Sequence, residues 1–280
     1  MTQSQDSLPA YVRSQLFVPG NRPERFEKAC ATDADLVCID FEDAVGDQDK
    51  DSARANTIKW LSETSHKYVS VRINALDTPY AKEDISALAK SGLSLPFIMI
   101  PKVNSQNDID SLDDMLPSQL GPFFAIIETA QGLLNSAEIF SCSRVKMAMF
   151  GAIDFAADIE SELSWDAHLY ARSHMVVCAA AHDVILFDSP HFDVKNLDDC
   201  EASTRRAKAM GIHARSAIHP AQIGRIHTAL SSTDAEIAEA NAIIQAYEKA
   251  DGNVVLLNGK FVEKPVIKKA YRVLAMNKVK

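Results

Sequence analysis

Dense basic runs are missing from this sequence, and with them the field that a nucleic-acid backbone requires. Its 29 Lys and Arg are outnumbered by 38 Asp and Glu, for a net charge of −9, so no nucleic-acid partner is expected. A small anionic ligand is not excluded, because it needs only a local basic pocket. No apolar stretch is long enough to span a bilayer, and no membrane partner is expected. The polar start from Met1 to Tyr11 lacks the apolar core of a secretion signal. Cysteine is sparse: Cys30, Cys38, Cys142, Cys178 and Cys200 make five, an odd number, with no Cys-x-x-Cys pair. That argues against a disulfide framework or a zinc site and fits reduced thiols in a cytoplasmic protein. A glycine-rich phosphate loop after the first apolar run is also absent, which counts against a doubly wound open sheet.

What the chain does have is rhythm. Apolar residues make up 47% of its 280 positions, enough for a substantial core at about the length of one barrel of alternating strands and helices. Short runs rich in Val, Ile, Leu and Phe recur at Ser14–Val18, Leu36–Asp40, Tyr68–Ile73, Phe97–Ile100, Phe123–Ile127, Met147–Phe150, Val184–Phe187 and Ala214–Ile218. Runs of this kind suit strands buried on both faces, and the amphipathic segments between them suit crossover helices. Eight parallel strands close a barrel with a filled interior. The expected fold is therefore a (β/α)8 TIM barrel over residues 1–250, with 251–280 as a C-terminal extension rather than an independent domain. Ser164 and Asp234 are the expected caps of two later helices, and Asp251-Gly252-Asn253 reads as a turn.

In such a barrel, the residues that follow the strands gather on one rim, where active sites of the fold lie. Here they include Pro19 and Asn21, Asp40 with Glu42 and Asp43, Arg72 and Asn74, Lys102, Glu128, Asp154, Asp188 and His219. Glu128 and Asp154 follow adjacent strands and can supply two oxygens to Mg²⁺, an ion that keeps open positions for water and substrate. From spacing alone a helix cap or an ion pair is the plainer reading of the same two residues. Arg72 interrupts the apolar run Val69–Ile73, where a lone cation is costly. Two readings fit it: bidentate capture of a substrate carboxylate, or a structural ion pair with Asp40, Glu42 or Asp43. Arg22, Arg25 and Lys28 form a basic face at the start of the first helix. They suit either a phosphate of a CoA-type carrier or plain solvent.

Ordered segments of the chain resemble the citrate lyase beta subunit and malyl-CoA lyase family, within the HpcH/HpaI aldolase/citrate lyase superfamily. They are Arg13-Ser14-Gln15-Leu16-Phe17-Val18-Pro19-Gly20-Asn21, Asp40-Phe41-Glu42-Asp43-Ala44-Val45, Val71-Arg72-Ile73-Asn74, Ile127-Glu128-Thr129-Ala130, Phe150-Gly151-Ala152-Ile153-Asp154, Tyr170-Ala171-Arg172-Ser173 and Ala217-Ile218-His219-Pro220. The resemblance spans nearly the whole chain. It implies a Mg²⁺-dependent lyase that splits a 3-hydroxyacyl-CoA thioester (citramalyl-, citryl- or malyl-CoA) into acetyl-CoA and a 2-oxo acid. It also implies a homo-oligomer, trimer or hexamer. By the family pattern Glu128 and Asp154 hold the metal, and Arg72 holds the 2-oxo-acid carboxylate. Glu42 and Asp43 stand near the metal waters, while Pro19, Asn21, Arg25, Lys28, Ile218 and His219 contact substrate or CoA. The family's C-terminal extension acts as a lid carrying a catalytic Asp; in Leu257–Pro265 that position holds Glu263. A beta subunit acting on a carrier-protein thioester, a malyl-CoA-type thioesterase and a non-catalytic CoA-ester-binding barrel remain as alternatives.

Overall fold

The computed structural model describes residues 9, 11–66, 68–250 and 253–277. Eight strands follow one another around a closed barrel: β1 (Ser14–Pro19), β2 (Leu36–Asp40), β3 (Val69–Arg72), β4 (Ile98–Ile100), β5 (Phe123–Ile127), β6 (Val145–Phe150), β7 (Ile185–Asp188) and β8 (Ala214–Ala217). All neighbours are parallel, and β8 closes on β1 with Arg215 opposite Ser14 and Ala217 opposite Leu16. The expected TIM barrel is the fold, and each expected run contains or overlaps its strand.

The strands are mostly apolar because both faces are covered. All five residues of β2 and of β5 are buried. Since side chains alternate across a strand, Leu36 and Cys38, Phe124 and Ile126, and Met147 and Met149 meet in one interior cluster. At its centre the ring of Phe124 lies 4.7 Å from that of Phe187 and 5.7 Å from that of Phe97.

The helices are α1 (Phe26–Cys30), α2 (Lys50–Glu63), α3 (Pro79–Lys90), α4 (Gln106–Met115), α5 (Ala130–Leu134), α6 (Ser136–Ser141), α7 (Ala152–Asp158), α8 (Leu169–His182), α9 (Leu197–Met210), α10 (Ala221–Leu230), α11 (Asp234–Lys249) and α12 (Lys264–Asn277). None among the described residues is long and apolar enough to cross a membrane. Two caps differ from expectation. Helix α8 starts after His168, and Ser164 instead accepts from Ala167 N–H in the preceding loop. Helix α11 is capped by Thr233, one residue before Asp234, because Thr233 and Glu236 complete a reciprocal capping box.

The chain divides into two compact units, residues 1–229 and 230–280. The boundary falls earlier than position 250 because α11 goes with the second unit, where Ala240 and Ile244 pack with Ala270 of α12. That unit also holds a hairpin of β9 (Val255–Leu257) and β10 (Lys260–Val262). Its two-residue turn, Asn258-Gly259, has positive φ at both positions (49° and 77°), which Asn and Gly tolerate best. Of the expected turn at Asp251-Gly252-Asn253, the first two residues lie outside the described residues.

Candidate active site

At the C-terminal rim of the barrel a cleft of about 320 Å³ opens among the ends of several strands. Arg72, Asp43, Glu128, Asp154 and Ile218 line it, together with Phe17, Asp40, Met149 and Phe192. The two carboxylates expected to hold a metal thus face one cavity beside the guanidinium of Arg72.

Each charged group is placed by its strand. Asp40 and Arg72 end β2 and β3 and lie opposite one another in register. Arg72 donates to both oxygens of Asp40, Nε to Oδ1 and Nη2 to Oδ2, each at 2.6 Å. Its Nη1 lies 2.8 Å from Glu42 and 3.4 Å from Asp43. The structural ion pair and the place beside the cleft are therefore both realised in one residue. Burial would raise the Asp40 pKa, but the charge and hydrogen bonds of Arg72 outweigh it and hold that carboxyl below its ordinary value.

Glu42 lies behind the cleft wall and is buried. Its oxygens are within ion-pair distance of Arg72 Nη1 (2.8 Å) and Lys102 Nζ (3.3 Å), yet neither is aligned with any donor for a hydrogen bond. Burial, with Asp43 and Asp40 adding to it against the pull of Arg72, pushes its carboxyl up to about 7. Glu128, at the end of β5, accepts from Lys102 N–H at 2.9 Å. Lys102 reaches it from a left-handed backbone conformation (φ 51°), a state that costs energy and persists where surrounding structure enforces it. Burial first, then the charges of Glu42 and Asp154, push Glu128 up to about 8. Gly151 makes room for it: a Cβ at that position would stand 2.6 Å from Glu128 Cβ and would collide with its Oε2.

The donor set fits a divalent cation. The charge of Asp154 adds to the raised proton affinity of Glu128, a repulsion that a divalent cation held between the two would relieve. Among the described residues no group of three or more His, Cys, Asp or Glu forms a closed metal cage. Two protein carboxylates with the remaining positions left to water and substrate are how Mg²⁺ is commonly held.

Other expected contacts lie elsewhere. Arg25 and Lys28 are exposed, and Arg25 approaches only Glu24, at 3.9 Å. Asn21 donates to Asp49 at 2.9 Å, Pro19 ends β1, and His219 Nδ1 accepts from Ala221 N–H. None of these five is a wall residue of the cleft. Asn74 is held by buried Asp84 through backbone and side chain (2.9 and 2.7 Å) and serves the scaffold. Glu263 lies exposed between β10 and α12, in the second unit. Sequence reasoning missed Phe192 and Met149 as wall residues. Met149 was readable only as core, and Phe192 carries no local signal.

A closed (β/α)8 barrel with paired carboxylates and an arginine at its C-terminal rim has its charged groups where enzymes of this fold carry their active sites. The family model of the HpcH/HpaI aldolase/citrate lyase family matches residues 13–220, and the chain belongs to that family; it is a carbon–carbon lyase by class. It is 34% identical to an L-malyl-CoA/beta-methylmalyl-CoA lyase of Cereibacter sphaeroides, over 92% of each chain. It is 33% identical to a (3S)-malyl-CoA thioesterase of the same species, over 94% of this chain and 93% of the relative. The CitE protein of Mycobacterium tuberculosis, solved in complex with magnesium, acetoacetate and coenzyme A, superposes with a TM-score of 0.85. That pair is 28% identical over 96% of this chain and 99% of the other.

Proposed function

We infer that this chain is a Mg²⁺-dependent lyase of a 3-hydroxyacyl-CoA thioester, releasing acetyl-CoA and a 2-oxo acid. The observation that carries this reading is the pair of carboxylates Glu128, which is buried, and Asp154, which is half-buried, facing Arg72 in one rim cleft. The similarity to a malyl-CoA lyase and to a magnesium- and coenzyme A-bound CitE supports it.

Held by Glu128 and Asp154, the cation would supply Lewis acidity toward the substrate's hydroxyl and carboxylate oxygens. The protein's own groups do the rest. Asp40 fixes the plane of Arg72 through two hydrogen bonds, so that its remaining N–H groups orient the substrate carboxylate. Glu42, behind the cleft wall, would balance the charges of Arg72 and Lys102, and Asp43, on the wall itself, would take the C3 hydroxyl proton. The C2–C3 electron pair then departs with the acetyl thioester as its enolate. By the family pattern, in which the extension serves a neighbouring subunit's site, Glu263 would return a proton to that carbon. Phe17, Met149, Phe192 and Ile218 exclude water from the cleft and receive the C3 substituent.

Glu263→Ala is expected to lower kcat by about 10²-fold or more with little change in KM, with Glu263→Asp retaining most activity. Silence of both variants would remove the lid carboxylate from the mechanism. Metal affinity should follow the titration of Glu128. Its carboxyl is raised in the folded, metal-free protein, from an ordinary 4.5 to about 8. The protonated form is therefore the one the fold favours, and this stabilisation is lost as pH rises toward 8. Metal binding needs the carboxylate, so Mg²⁺ affinity should rise by about tenfold per pH unit up to that point. Melting curves with Mg²⁺ or EDTA should diverge progressively between pH 6 and 8.5; parallel curves would contradict the assignment.

Thioester hydrolysis is the second reading, favoured by the near-equal identity to a thioesterase. One panel separates the two: citramalyl-, citryl- and malyl-CoA with Mg²⁺ or EDTA, scoring pyruvate, oxaloacetate and glyoxylate against the free hydroxy acids. Release of a 2-oxo acid that EDTA abolishes supports cleavage. Free hydroxy acid with CoA supports hydrolysis. Turnover that ignores EDTA would overturn the metal's part in either.

A further inference from the structure

A second cavity, of about 420 Å³, lies beside the catalytic cleft and shares Ala152, Ser189, Pro190 and Phe192 with it as a common wall. Its floor is cationic. Arg215, in β8, is 4% exposed, and all its hydrogen bonds go to neutral acceptors. Nε donates to Ser189 O at 2.9 Å, and Nη1 donates to Cys200 O, Ser203 Oγ and Thr204 Oγ1 at 3.3, 2.8 and 2.8 Å. Among the described residues no carboxylate lies within ion-pair distance of it. Asp188, its partner in the β7–β8 register, is paired instead with Nε of Arg172 at 2.9 Å. Of these two buried guanidiniums only that of Arg172 has a carboxylate partner. Nη1 of Arg172 is itself buried without a hydrogen-bond partner.

A buried cation lacking a counterion is expensive to keep, and here it borders an open cavity. Arg172 and Arg206 both stack on Trp165, each 4.5 Å from its ring, which fixes two more guanidinium planes in the same lining. His191, held toward its neutral form by burial and by Arg215, lines the cavity with a buried Nε2 that has no hydrogen-bond partner. Two carboxylates belong to the lining. Asp193 Oδ1 accepts from Lys195 and Asn196 N–H, and Asp199 stands 3.7 Å from His191. Arg172 is paired with Asp188 and Arg206 with Asp166, at 2.9 and 3.2 Å, so the guanidinium without a carboxylate partner is that of Arg215. Planar guanidiniums converging from separate elements suit an oxyanion with several equivalent acceptor oxygens. The volume exceeds that of a lone anion, and exposed Leu163 and Phe192 offer apolar surface to whatever carries it.

We propose that this cavity, between the start of α8 and one face of α9, is a binding site for a phosphate group borne by a small organic molecule, with Arg215 and Arg172 as its anchors. The site is distinct from the carboxylate cluster, and the proposal does not rest on the lyase reading.

The test uses the full chain with saturating Mg²⁺ and inorganic phosphate as probe, titrated against chloride at matched ionic strength and read by ³¹P line broadening and calorimetry. Ala202, exposed on α9 and part of the cavity wall, allows the local charge to be changed without touching a buried group. Ala202→Glu should weaken phosphate about tenfold, while Ala202→Lys should match or exceed the unmodified chain, given the reach of one added charge at partial screening. Both should melt with the parent. Arg215→Gln, where it folds, should abolish binding. Displacement of phosphate by CoA from the unmodified chain, weakened in Ala202→Glu, would assign the site to a phosphate of the substrate carrier. Phosphate binding that CoA leaves untouched would assign it to a separate phosphate ester. No saturable phosphate binding, or equal affinity in the two Ala202 variants, overturns the proposal.

Discussion

Glu128→Gln is expected to lower turnover by at least about 10³-fold while leaving the barrel folded. The physical basis is how little the substitution changes besides charge. Glutamine is nearly isosteric, its carbonyl can still accept from Lys102 N–H, where Glu128 accepts at 2.9 Å, and the space cleared by Gly151 need not grow. The carboxyl of the metal-free protein is already displaced to about 8, so at neutral pH the neutral amide imitates the dominant state of the acid. Melting without metal should therefore be unchanged or slightly higher, and the rise in melting temperature produced by Mg²⁺ should disappear. Loss of the metal-dependent shift together with loss of turnover assigns Glu128 to the cation. Retained turnover would remove the metal reading altogether, and a collapse in melting temperature without metal would show a scaffold role instead.

The barrel was legible because its strands are buried on both faces, which writes each of them as an apolar run. Leu36–Asp40 and Phe123–Ile127 have the same bounds in sequence and structure. The apolar run of β6 starts only at Met147, two residues inside the strand, because exposed Lys146 interrupts its pattern. The carboxylates were legible because acidic residues that end apolar runs stand out. The partner choices were not. That Arg72 pairs with Asp40 depends on strand register, which sequence does not encode and which places the two opposite one another. Asp188 was visible at a strand end in the same way, yet its partner is Arg172, sixteen residues earlier on α8. Helix caps failed for a local reason: Thr233 wins over Asp234 because only Thr233 is three residues from Glu236. Phe192 and Trp165 shape cavities from loops whose paths no periodicity encodes. The basic face at Arg25 and Lys28 is exposed, and spacing alone does not separate a solvated face from a ligand contact.

Arg72→Gln should be the most destabilising of the single changes considered, and it also allows the two roles of this residue to be separated. Removing the guanidinium leaves Asp40, 1% exposed, without the two 2.6 Å hydrogen bonds that keep its charge tolerable, and leaves Glu42 with Lys102 as its remaining cation. Breaking a buried pair from one side costs about 3–5 kcal/mol, a fall of roughly 10 °C for a domain of this size. Activity should be lost as well, but instability alone would explain that. The double variant Arg72→Gln/Asp40→Asn resolves the ambiguity. It removes both members of the pair, and two amides in register can hydrogen-bond across β2 and β3. Most of the melting temperature should return, since replacing a whole buried pair is far cheaper than orphaning half of it. If Arg72 also orients the substrate carboxylate, turnover should stay at least about 10²-fold down in the restored protein, and KM for the thioester should rise. If turnover returns with stability, Arg72 is scaffold alone and the carboxylate is held by other groups in the cleft.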